Sequence, residues 1–164
     1  MELTPQSHDM YLIRPLTILD IKSAKDIFRE VFDVREWQEF NWIWRYRSTR
    51  ESLGIFTREG EIMGFALILG HARDLKYICI HPMYQYKKLG TVLLTAILKN
   101  CVTLDKSLSL VPANDFVTAW YERHGFNKTT MFRASDNTLW AKMNFHTKRT
   151  RMNRLKLKRL SFIE

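Results

Sequence analysis

The stretch from Leu75 to Thr91, LKYICIHPMYQYKKLGT, sets an apolar strand, a donor-rich loop and a helix start one after another. That order makes an anion site. Amides in the first turn of a helix have no helical acceptor and point out of its end, where the helix dipole adds partial positive charge. Gly90 lets the backbone come close to a phosphate, and Lys87 and Lys88 add mobile charge around it. Many strand–loop–helix connections contain a glycine, so the pattern alone suits an ordinary connection as well as a phosphate cradle. A second stretch, NDFVTAWYERHGF from Asn114 to Phe126, has Asn114 opening a helix, Tyr121 and Glu122 in its last turn, and Gly125 placed as its left-handed cap. No spacing of Cys and His suits a metal, and no metal is expected.

Seven strands and four helices are needed to position these stretches. Tyr11 to Arg14 reads as the first strand, closed by Pro15. Leu19, Ile21, Ala24, Ile27, Phe28 and Val31 then recur at mostly three- and four-residue steps, which predicts a helix from Thr17. A second helix is expected over Glu36 to Arg47, with Trp37, Phe40 and Trp44 on one face and Trp42 and Tyr46 toward another. Leu53 to Thr57, Ile62 to Leu69 and Leu75 to Ile80 read as strands, with Glu59-Gly60-Glu61 turning between the first two. The basic loop Tyr84 to Gly90 leads into an apolar helix from Thr91 to about Lys99, then a strand over Ser107 to Val111. After the helix Asn114 to His124, the strands Phe126 to Phe132 and Thr138 to Phe145 close the fold around an Asp136-Asn137 turn. Strands on both sides of a central helix, with hairpins at either end, indicate a single domain of mixed α/β class.

The 164 residues suffice for one ordinary domain, and with 46% of them hydrophobic and 13% aromatic a packed core is expected rather than disorder. No apolar run of about 18 residues is present, so no membrane span is expected. The start, MELTPQSHDM, lacks the basic-then-apolar order of a secretory signal, which points to a reducing intracellular setting, cytoplasmic with a nuclear alternative. Cys79 and Cys101 accordingly read as buried free thiols. Of the net charge of +9, residues 147–164 carry +6, from seven Lys or Arg against one Glu. The chain thus divides into a domain over 1–146 and a basic tail over 147–164. The tail admits three readings: a solvated helix, a contact for nucleic acid or an acidic partner, and an import-like cluster.

The two motifs together resemble the GNAT superfamily of N-acetyltransferases. IHPMYQYKKLGTVLL is similar to that family's acetyl-CoA segment, a Gln or Arg followed by two glycines at set spacing. Gln85 matches the first position and Gly90 the last, while Lys88 stands where the family has its middle glycine. In NDFVTAWYERHGF, the residues Asn114, Tyr121, Glu122, Arg123, Gly125 and Phe126 fall in the family's register, and the likeness extends over roughly residues 10–146.

The resemblance implies direct transfer of an acetyl group from acetyl-CoA to a primary amine within a ternary complex, on a mixed, mostly antiparallel sheet flanked by helices. It places the pyrophosphate on the amides of Tyr86, Lys87, Lys88, Leu89, Gly90 and Thr91, with Gln85 shaping the loop. The pantetheine arm is expected along the backbone of Ile78, Cys79 and Ile80, and against Asn114. Tyr121 is the expected acid for the departing thiolate and Asp74 the expected base, with Glu61 and His81 as weaker alternatives. A core tyrosine and an exposed hairpin aspartate are the plain readings of those two residues. The acceptor is a protein, peptide or small-molecule amine, drawn by the negative charge of Glu30, Asp33, Glu36 and Glu39; the assembly is a monomer or homodimer. The rival reading is a GNAT-like module that has lost catalysis and holds nucleic acid or an acidic partner through its tail.

Overall fold

The computed structural model describes residues 11–85 and 88–148. Residues 1–10, Tyr86, Lys87 and residues 149–164 lie outside them, and with them the expectations placed on Tyr86, Lys87 and most of the basic tail. Among the described residues no helix is long and apolar enough to cross a membrane.

The strands are β1 (Leu12–Pro15), β2 (Leu53–Phe56), β3 (Ile62–Leu69), β4 (Asp74–Ile80), β5 (Leu108–Leu110), β6 (Asn127–Arg133) and β7 (Leu139–Phe145). The helices are α1 (Ile21–Val31), α2 (Trp37–Arg45), α3 (Leu89–Leu104) and α4 (Asp115–Arg123). The strands follow the order β1-β2-β3-β4-β5-β7-β6 in one mostly antiparallel sheet, with β4 and β5 parallel. This is the mixed α/β class expected from the sequence. The described residues gather into two compact units, one from residues 11–72 and 76–97, the other from 73–75 and 98–148.

In the first unit β1, β2 and β3 pair antiparallel in turn, with Leu12 opposite Phe56 and Gly54 opposite Phe65. The helix α1 buries Ala24, Ile27 and Phe28, and α2 buries Phe40, Ile43 and Trp44. These side chains meet Phe65, Leu67, Tyr77 and Cys79 in one apolar cluster. The aromatic rings interlock edge to face, Phe28 against Tyr77 at 4.7 Å and Phe40 against Phe65 at 6.2 Å. Leu19, counted with the α1 face, is 88% exposed. It belongs to a 3₁₀ turn, Ile18–Asp20, whose three-residue repeat points it away from the core. Trp37 likewise leaves the face of Phe40 and Trp44: it starts α2 in partial exposure and donates its indole N–H to the Phe32 carbonyl at 3.0 Å.

In the second unit β5 pairs antiparallel with β7, Ser109 opposite Asn144, and β7 pairs with β6. Asp74 faces Ser109 as the parallel pair of β4 with β5. The helix α4 ends as expected: Gly125 takes φ +94°, and the Phe126 amide reaches back to the Tyr121 carbonyl at 3.2 Å. The Asp136-Asn137 turn also forms, with Asn137 at φ +69°.

Candidate active site

The end of β4 and the start of α3 form the donor-rich bend. Three contacts shape it. The amide of Tyr84 bonds to the His81 carbonyl at 2.8 Å, closing a 3₁₀ turn over Pro82–Tyr84. Nδ1 of His81 accepts the Met83 amide at 3.1 Å. Gln85 then folds back and donates its side-chain amide to the Ile80 carbonyl at 3.1 Å, a tie between the loop and the strand it leaves.

Lys88 stands at φ +57°, the left-handed region, immediately before α3 begins at Leu89. The departure from the glycine pattern therefore changes the residue and keeps a backbone shape that glycine adopts freely. A left-handed residue followed by a helical one turns successive N–H groups toward one side, an arrangement suited to an anion. Its side chain is exposed, so the charge reaches solvent at the bend. A lysine in this conformation is strained by about 1–2 kcal/mol. Lys88→Gly is expected to raise stability by about 0.5–1 kcal/mol, since strain relief exceeds the extra entropy of an unfolded glycine. Urea denaturation checks this; an unmoved or lower midpoint means that the position carries no strain.

Along β4 burial alternates, with Leu75, Tyr77 and Cys79 inward and Lys76 outward. Ile78 and Ile80 are partly buried. Burial raises the Cys79 thiol far above its ordinary range, and Cys101 is buried as well; neither forms a disulfide. The Tyr77 hydroxyl donates to Glu39 at 3.2 Å, and its own proton is held more tightly, first by burial and then by that carboxylate. Glu36 is pushed up by partial burial and by the neighbouring charges of Glu39 and Asp33. The expected acidic grouping thus holds for Asp33, Glu36 and Glu39. Glu30 instead faces His81, its Oε2 lying 3.3 Å from Nε2.

Asp74, Asn114 and Tyr121 belong to the second unit. The Asp74 carboxylate accepts the Ser109 hydroxyl, so it is partly committed to joining β4 and β5. Asn114 caps α4, its Oδ1 accepting the Val117 amide at 2.9 Å, which leaves its NH₂ as the group open to a ligand. Tyr121 is buried, with its ring 4.9 Å from Trp120 and 5.3 Å from Phe126. Burial pushes its hydroxyl well above the ordinary tyrosine range. Glu61 and His81, the alternative bases, line a cleft of about 420 Å³ in the first unit, together with Asp20, Ser23, Met83 and Tyr84. Among the described residues no group of His, Cys, Asp and Glu could hold a metal ion.

Sequence reasoning missed Ser109 beside Asp74 and Glu39 beside Tyr77. A serine in an otherwise apolar three-residue strand, and a tyrosine on the inward rhythm of β4, were the signals available.

A family model described as an acetyltransferase (GNAT) domain matches residues 22–147. Among solved structures the chain is similar to Ard1 from Thermoplasma volcanium, at 19% identity over 84% of this chain and 98% of that one, with a TM-score of 0.69. It is similar to the ribosomal-protein-S18-alanine N-acetyltransferase from Escherichia coli, at 22% identity over 84% and 94%, TM-score 0.67. It is also similar to the GNAT family N-acetyltransferase YhbS from Escherichia coli in complex with CoA, at 14% identity over 88% and 85%, TM-score 0.67. No curated protein sequence matches significantly.

Proposed function

Because the chain belongs to the GNAT acetyltransferase family, we propose that this acyltransferase moves an acetyl group from acetyl-CoA onto a primary amine by direct attack. The observation that carries the reading is the bend at Lys88. There a left-handed residue leads into the first turn of α3, at the position where the pyrophosphate is expected. The amides of residues 86–91 hold the diphosphate, and Gln85 keeps the bend in shape. The backbone of Ile78, Cys79 and Ile80 pairs with the pantetheine arm as an added strand would, and the Asn114 NH₂ bonds to it. Bound there, the thioester presents its carbonyl to the amine, and the chain's own groups manage the protons.

The amine must be neutral to attack. Asp74 accepts its proton through a bridging water while Ser109 holds the carboxylate in place. Tyr121 gives its proton to the departing sulfur. The acceptor is a protein or peptide amine. Support for this comes from two similar structures, one of an enzyme named for a ribosomal-protein alanine and one of a NatC complex bound to a peptide and CoA. The acidic surroundings of Glu36 also favour an approaching ammonium group.

Calorimetric titration with acetyl-CoA tests the reading. Affinity of about 1–100 μM is expected, with a rise in melting temperature when the ligand is present in excess. No heat and no thermal shift would remove the cofactor from the proposal, and the acetyl transfer with it.

A further inference from the structure

His81 sits at the joint between β4 and the bend, and its two ring nitrogens have different tasks. Nδ1 accepts the Met83 amide at 3.1 Å, so it carries no proton. The ring proton is therefore on Nε2, which lies 3.3 Å from Oε2 of Glu30 on α1. The backbone of His81 is held as well. Its amide bonds to the Met63 carbonyl of β3 at 2.7 Å, and its carbonyl accepts the Tyr84 amide at 2.8 Å. The Tyr84 ring packs edge-on against the imidazole at 5.9 Å. Beyond the turn, Gln85 returns to Ile80 and the chain reaches Lys88.

We propose that His81 is a positioning residue for the coenzyme loop, and that a second proton on its ring releases the Met83 amide and weakens coenzyme binding. The inference rests on the cofactor placement argued above. Nε2 already has its proton, so a second one can only go to Nδ1. The imidazolium then has donors at both nitrogens and no acceptor for Met83. The cap on the Pro82–Tyr84 turn is lost, and the bend that follows loses its fixed starting point. The titratable groups around the ring are Glu30 from α1 and Tyr84 from the turn, with Asp20 and Glu61 on the same cleft. Asp20 is paired with Arg14 at 2.8 Å.

The test is calorimetric titration of the full chain with coenzyme A at about pH 8 and about pH 5.5, the range over which an imidazole changes charge. His81→Asn is measured beside it, because an asparagine oxygen can accept the same amide and does not titrate. The ratio of wild-type to variant affinity cancels the titration of the coenzyme's own phosphates. That ratio is expected to fall about fivefold or more on going to the acid condition, the worth of one lost cap. A ratio that stays flat overturns this inference and leaves the cofactor reading standing. No binding of coenzyme A at either pH overturns both.

Discussion

Tyr121→Phe is expected to lower turnover at least about tenfold while leaving acetyl-CoA affinity within about twofold. The substitution removes one oxygen and keeps the ring. The contacts at 4.9 Å to Trp120 and 5.3 Å to Phe126 persist, so the helix and its packing survive the change. Burial holds the hydroxyl proton far above the ordinary tyrosine range. The group therefore keeps its proton throughout the working pH range and is able to donate a hydrogen bond to the departing sulfur. Its pKa in the folded chain also places any loss of this acid at strongly alkaline pH, outside the window in which the amine itself titrates. Steady-state thiol release, with an acceptor found by screening amines and peptides, checks the effect. Turnover equal to that of the unsubstituted chain would assign Tyr121 to the core alone.

Gly64→Ala is expected to cost about 3 kcal/mol or more, and to lower the melting temperature by roughly 6–12 °C. Gly64 lies in β3 where β4 passes very close. A methyl group there would stand 2.5 Å from Cδ1 of Ile80 and 2.6 Å from the carbonyl oxygen of Cys79. The first neighbour is the far end of a side chain and can swing away. The second is backbone and can yield only if β4 moves. Cys79 and Ile80 are the residues on which the pantetheine arm is proposed to lie, so acetyl-CoA affinity should fall together with stability. Gly70→Ala is the control, since its methyl would meet nothing nearer than 3.7 Å. Thermal unfolding of the two variants separates a general intolerance of alanine from the specific closeness of β3 and β4. Equal melting temperatures would mean that β4 gives way freely.

Elements bounded by local chemistry were readable from the residues. β3 runs from Ile62 to Leu69 as its unbroken apolar run indicated, and α4 begins after Asn114 and ends at Gly125 because a capping amide and a glycine mark those places. The chain was hard to read where a left-handed turn uses a residue other than glycine. Helix α3 was expected to stop near Lys99 and continues to Leu104. Its stop is Asp105 at φ +53°, with the Lys106 amide bonded to the Cys101 carbonyl at 3.0 Å and the Asp105 amide to the Val102 carbonyl at 3.2 Å. That is the same cap geometry as at Gly125, built without the glycine that would announce it. Lys88 and Arg73 repeat the case on either side of β4. The motifs proposed to carry the chemistry were readable as types and spacing. The tasks that neighbours give them were not, because Ser109 meets Asp74 and Glu30 meets His81 across long stretches of sequence.

The burial of both cysteines bears on how the reaction can be followed. A thiol hidden from water does not attack an aromatic disulfide reagent while the chain stays folded, and burial also holds the Cys79 proton in place. Each coenzyme thiol released in turnover can thus be counted colorimetrically against a silent protein background. In the absence of substrate, the slow colour that does develop is a clock, timing how often β4 and α3 open to solvent.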